Sequence, residues 1–197
     1  MTSILARGFA TALLLFSMRA SAIEVEGVPV PDRARLTTNG PELVLNGVGV
    51  RTRLMFKIYV AALYLPNRSE NGETILGDDQ PVRLFLHMLR NLTPHQLSSS
   101  INDALQETLT PEQRTPLEAR LRRFHAIFET GQKVKEGTQI VIDYVPQHGT
   151  IILVDGEEKD RIPGGDFNRA LLRIWIGERP RDPKLRKALL GIGSKYN

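Results

Sequence analysis

Hydrophobic and polar positions change period several times along this chain, and those changes outline its elements. From Leu54 to Leu65, LMFKIYVAALYL, only Lys57 is charged, and the rest are mostly β-branched, aromatic or small, as suits a buried pleated surface. Read as one strand, Leu54, Phe56, Ile58, Val60, Ala62 and Tyr64 share a face, and Met55, Lys57, Tyr59, Ala61, Leu63 and Leu65 share the other. The first face is continuous core. The second carries a Lys and a phenol, so it can line a cavity as well as fill one. Upstream, VEGVPVP spaces Val25, Val28 and Val30 among Pro29 and Pro31, an edge strand or lead-in. Leu43-Val44-Leu45 reads as a short strand entering a turn at Asn46-Gly47.

Val82 to Leu89 is a second apolar strand, with Val82, Leu84, Leu86 and Met88 on one face. The period then lengthens. Thr93-Pro94-His95-Gln96 is a capping box with Pro at the first helical position, and it predicts a helix to about Leu109. Thr110-Pro111-Glu112-Gln113 and Thr115-Pro116-Leu117-Glu118 repeat the signal, and Leu117, Leu121, Phe124 and Phe128 then form one helical stripe. Thr138 to Val145 alternates as a strand. Gly149 to Val154 and Glu157 to Ile162 flank Asp155-Gly156, a two-residue hairpin. Asp166 is placed to cap a helix ending at Gly177, and Asp182-Pro183 starts a last short one. Strands, helices, strands and helices in that order predict an α+β fold, an antiparallel sheet with helices on one face.

The first 22 residues stand apart. Arg7 precedes an apolar run, Phe9 to Met18, that is too short to span a bilayer, and Ala20-Ser21-Ala22 is a small-x-small cleavage pattern. Residues 1–22 are therefore expected to be a secretory signal peptide and 23–197 one domain, periplasmic or secreted, with no membrane span after cleavage. Removing Arg7 and Arg19 takes the formal charge from +4 to +2. No basic stripe with aromatic platforms remains, which argues against nucleic acid. The chain has no cysteine, so thiol chemistry, Cys-based zinc sites and iron–sulfur clusters are excluded. His87, His95, His125 and His148 show no metal-site spacing, and no phosphate loop or nucleophile elbow is present. Neither a metal nor a cofactor is expected.

Arg51 follows a Gly-rich turn and leads into the buried strand. A guanidinium there can hold a carboxylate or phenolate bidentately, with apolar wall beyond, or it can be a solvated residue at a strand start. Tyr59 and Tyr64 offer hydroxyls on opposite faces, so at most one joins Arg51. Whether Tyr59 does depends on a bulge between Gly49 and Leu54. His95 and Asn102 are seven residues apart, two helical turns, and share a helix face.

Two stretches together resemble the chalcone isomerase-like family. One is LNGVGVRTRLMFKIYVAALYLP, residues 45–66. The other is Arg173-Ile174-Trp175-Ile176-Gly177-Glu178 followed by Pro183-Lys184-Leu185-Arg186 and Leu189-Leu190-Gly191. The export signal is similar to that of the family's bacterial branch. The resemblance implies an open-faced β-sandwich, a large antiparallel sheet under a layer of helices with a cleft between. Plant enzymes of the family close a chalcone to a flavanone with an Arg on the phenolate, while related non-catalytic members hold a fatty-acid carboxylate with an Arg and a Tyr. Carried across, the family Arg falls at Arg51, a strand Thr at Tyr59, a Tyr at His95, an Asn at Asn102, and a Thr or Ser at Ile174. The catalytic Thr and Tyr positions are thus not kept, which leaves enzymatic activity open. The expectation is non-catalytic binding of a small apolar acid such as a fatty acid, headed by Arg51. An isomerase (intramolecular lyase) using Arg51, His95 and Asn102, and an interaction protein with a filled cleft, are the alternatives.

Overall fold

Three apolar strand runs in succession, each joined to the next by a short connection or a helix, are enough to start a meander. In the computed structural model, which describes residues 22–36, 40–129 and 134–193, the meander extends to seven antiparallel strands in sequence order. They are β3 (Arg33–Arg35), β4 (Glu42–Arg53), β5 (Phe56–Leu65), β6 (Val82–Met88), β7 (Gln139–Val145), β8 (Gly149–Val154) and β9 (Glu157–Ile162). A hairpin of β1 (Ala22–Val25) and β2 (Val28–Pro31) precedes them. The helices are α1 (Gly72–Gly77), α2 (Pro94–Thr108), α3 (Pro111–Arg114), α4 (Glu118–Glu129), α5 (Gly165–Ile176) and α6 (Pro183–Leu189), with a 3₁₀ turn at Thr115–Leu117. The expected α+β class and helix-covered antiparallel sheet are what the chain adopts. All of the expected signal segment except Ala22, the first residue of β1, lies outside the described residues. Among the described residues, no helix is long and apolar enough to cross a membrane.

The sheet has a core on each face. The helix side buries Ala61, Leu63 and Leu65 of β5 with Leu84, Leu86 and Met88 of β6, under Phe124, Phe128, Phe167 and Leu171. The other side buries Val60, Ala62 and Tyr64 under Val28 and Val30 of the N-terminal hairpin. The Tyr64 hydroxyl donates to the Pro31 carbonyl at 2.9 Å. Of the three expected helix-capping boxes, those at Thr93 and Thr110 form, while Thr115 opens the 3₁₀ turn and its hydroxyl donates back to the Pro111 carbonyl at 2.9 Å.

Four expectations are corrected. Asn46-Gly47 is not a turn: β4 runs through it with Asn46 as an extra residue in the register. The buried Asn46 amide donates to the Ser69 and Leu189 carbonyls at 3.0 and 2.8 Å, and its oxygen accepts from the Ser69 N–H at 2.7 Å. Long-range bonds thus satisfy the polar group that a turn would have left to water. The strand starting at Leu54 is likewise divided, because Leu54-Met55 is the tight turn between β4 and β5. VEGVPVP bends at Glu26-Gly27 into the β1–β2 hairpin instead of running straight. Gly164, not Asp166, precedes α5; Asp166 lies in the first turn and takes two bonds from Arg120, each 2.6 Å.

Helix α6 fixes the geometry that matters most. It lies along Gly47, Gly49 and Arg51, which alternate on the helix-facing side of β4. A Cβ on Gly47 would sit 2.1 Å from the Ala188 carbonyl oxygen, and one on Gly49 2.7 Å from the Ala188 Cβ. Only glycines let the helix approach this closely. That approach brings Asp182, the N-cap of α6, onto Arg51.

Candidate functional site

Between sheet and helices lies a cavity whose wall is largely apolar: Leu86, Met88, Ile140 and Ile142 from the sheet, Phe124 and Phe128 from α4. Its non-atom space, mouth included, is about 710 Å³. Five of the polar residues that line it, Arg51, Tyr59, Trp175, Arg181 and Asp182, are bonded to one another or to backbone, and Ser100 adds a sixth.

Arg51 and Tyr59 face each other across β4 and β5 as Cα partners. Thr52 pairs with Lys57 and Arg51 with Tyr59, so Ile58 is an extra residue. In a regular, unbulged ladder Arg51 would pair with Ile58 and point away from Tyr59. The bulge therefore places guanidinium and phenol on one face, and both line the cavity. Tyr64 belongs to the opposite face, with its hydroxyl on Pro31.

Arg51 Nη1 lies 3.0 Å from Asp182 Oδ2 and 3.4 Å from the Arg181 carbonyl oxygen, to which it donates. Both contacts use one nitrogen, so the rest of the fork remains available to a ligand. Burial works against the Asp182 carboxylate, but bonds from the Leu185 N–H, Arg51 and the Thr52 N–H outweigh it and hold the carboxyl below its usual range. Arg181 is spent within the protein: Nε lies 2.8 Å from Glu107 Oε2 and Nη1 donates to the Ser100 carbonyl at 3.1 Å. Trp175 Nε1 donates to the Tyr59 hydroxyl at 2.9 Å. The phenol therefore keeps its own proton to give. Burial pushes its titration up, and the Trp175 and Arg51 contributions only partly offset this. Tyr59 is thus a neutral donor at physiological pH.

A family model described as chalcone isomerase-like matches residues 22–191. The chain belongs to the chalcone isomerase-like family. Among solved structures it is similar to a fatty-acid binding protein of Arabidopsis thaliana, with a TM-score of 0.70 and 16% sequence identity over 86% of this chain and 96% of that one. At that identity the likeness speaks for the fold. No curated protein matches the chain in sequence.

The chalcone isomerase-like fold gathers some of the expected site residues and separates others. Arg51, Tyr59 and Ile174 line the cavity together. His95 and Asn102 do not reach it. They are exposed on the outer side of α2 and line a separate open groove with Ser98, Arg122, His125 and Glu129. In that groove Ser98 Oγ and His125 Nδ1 are 3.1 Å apart, tying α2 to α4. The seven-residue spacing does keep His95 and Asn102 on one face, but the apolar residues of α2, Leu97, Ala104 and Leu105, turn the opposite face inward. Asp182, Trp175 and Arg181 were not foreseen as site residues. The Asp-Pro helix start located Asp182, yet nothing local tells that α6 docks beside Arg51. Among the described residues, no cluster of His, Asp or Glu could hold a metal.

Proposed function

We propose that this protein binds a small apolar acid, such as a fatty acid, without transforming it. The alkyl portion lies along the Phe124, Phe128, Ile140 and Met88 wall. The carboxylate takes the open edge of Arg51 and the Tyr59 hydroxyl proton. The observation that carries this is the pairing of Arg51 with Tyr59 on one rung of an apolar cavity. A carboxylate needs little more: one fork, one hydroxyl and a greasy wall. The fatty-acid binding described for the similar Arabidopsis protein agrees with it. Ring closure by the expected route would use His95 and Asn102 beside Arg51, and both line the other groove. We further place the chain in the exported, bacterial branch of the family, acting in the periplasm or outside the cell.

The test uses protein recovered from the exported fraction, expected to begin at Ile23. A fluorescent polyunsaturated fatty acid is titrated into it and into Arg51→Ala. The parent saturates at one site, and the variant binds at least tenfold more weakly, about 1.4 kcal/mol, with its far-UV circular dichroism unchanged. Equal affinity in the variant rejects Arg51 as the head-group residue. Met1 retained on exported material rejects the processing.

A further inference from the structure

The turn between β4 and β5 breaks a local rule and gains nothing from the core. Leu54 and Met55 are its two central residues, with φ of 48° and 69°. Positive φ at both positions is the pattern of a type I′ hairpin turn, where Asn-Gly or Asp-Gly avoids the steric conflict that a Cβ brings. Here a γ-branched residue and a long thioether occupy both. Their side chains are not buried in exchange: Leu54 is 81% exposed, Met55 95%, and the adjoining Phe56 58%.

Cations surround this apolar point. Arg53 and Lys57 flank it in sequence, and the Arg90 guanidinium stands 4.7 Å from the Phe56 ring centroid. Against them stands Glu26, whose carboxylate is 2.5 Å from Lys57 Nζ, so positive charge remains in excess. An apolar tip within a basic collar is how a peripheral protein meets an anionic bilayer: side chains enter the acyl boundary while Arg and Lys stay at the phosphates. We propose that the Leu54-Met55-Phe56 tip docks this protein on an anionic lipid surface.

The size of the feature favours lipid over a protein partner. Three side chains on one turn fall well short of the roughly 800 Å² per partner that a stable protein interface buries. A bilayer sets no such minimum. The location also suits the proposed ligand. Arg51 and Tyr59 form the third rung from the turn, so docking would bring the head-group side of the cavity towards the membrane. That purpose rests on the apolar-acid reading. The docking itself rests on the tip alone, and its test uses no fatty acid.

Because the chain has no cysteine, Met55→Cys carries a single environment-sensitive fluorophore in the full chain. Gln147→Cys, exposed in the β7–β8 turn at the opposite end of the sheet, carries the control. Vesicles of phosphatidylcholine with phosphatidylglycerol should raise the emission of the Met55 label several-fold and shift it to the blue. The Gln147 label should stay unchanged, and phosphatidylcholine alone should act much more weakly. Position-specific labels separate tip insertion from any adhesion by the apolar run at residues 9–18. In flotation of the exported form beginning at Ile23, Leu54→Asn with Met55→Gly introduces the preferred turn pair and should cut vesicle partitioning of the protein at least tenfold, with Tm equal or higher. No response at Met55, an equal response at Gln147, or unchanged partitioning of the double variant overturns the proposal. So does a lipid-free, concentration-dependent response at Met55, which would make the partner a second copy of the chain.

Discussion

Arg51 gains its place in the cavity from one extra residue on the neighbouring strand. The Gly-x-Arg pattern Gly49-Val50-Arg51 was readable in the sequence; the face Arg51 takes relative to Tyr59 was not, because a bulge at Ile58 sets it. Its ion-pair partner was also hidden. Asp182 follows Arg51 by over a hundred residues and joins it only after α6 docks. This partner competes with any acidic ligand for Nη1. Asn caps a helix as well as Asp does, so Asp182→Asn keeps the start of α6 while removing the competing charge. Fatty-acid affinity should then rise, roughly fivefold for about 1 kcal/mol, in the same titration used for Arg51→Ala. Unchanged or weaker binding would mean that Arg51 serves Asp182 alone.

At the scale of elements, the packing of α6 on β4 links fold to site. Gly47 and Gly49 were visible as a flexible stretch, and the natural local reading was a turn. Their role is steric clearance for a helix that comes much later in the chain. Gly47→Ala puts a Cβ against helix backbone, which no rotamer change relieves. It should destabilise the protein by roughly 2–3 kcal/mol, a fall in Tm on the order of 5–10 °C by calorimetry. Gly77→Ala, where no atom lies within 4 Å of the new Cβ, is the control and should leave Tm nearly unchanged. If the two variants melt alike, the α6 contact is not as tight as described. The β4–β5 turn was missed for the converse reason. Leu54-Met55 carries none of the Asn, Asp or Gly that mark a hairpin, so the apolar period ran straight through it. The Asp155-Gly156 turn carries both and was legible.

For the whole molecule, ion pairs between elements set the response to acid. The Arg120 guanidinium, bonded twice to Asp166, holds that carboxyl below its ordinary range and joins α4 to α5. Asp182 is also held low, its bonds outweighing burial. A depressed folded-state value means stability that is fully present above the unfolded value near 3.8 and lost as pH falls through the lower folded value. Asp143, buried against Arg83 on the other face of the sheet, is raised by burial and contributes with the opposite sign. The expected result is a Tm that holds near pH 6 and falls as the pH drops below about 4, with a shallower fall in Asp166→Asn. Parallel curves for parent and variant would remove Asp166 from the account.

Hydrophobic period, capping boxes and turn dipeptides are local signals, and by themselves they determined most of the strand and helix order, the antiparallel sheet with its helical layer, and Arg51 as the residue to follow. Only the tertiary structure decided which groups meet in the cavity. It put Tyr59 and Asp182 beside Arg51 and left His95 and Asn102 outside, because bulges shift strand faces by one residue and helix docking is set by contacts far apart in the chain. Such contacts leave little trace in any short stretch of sequence.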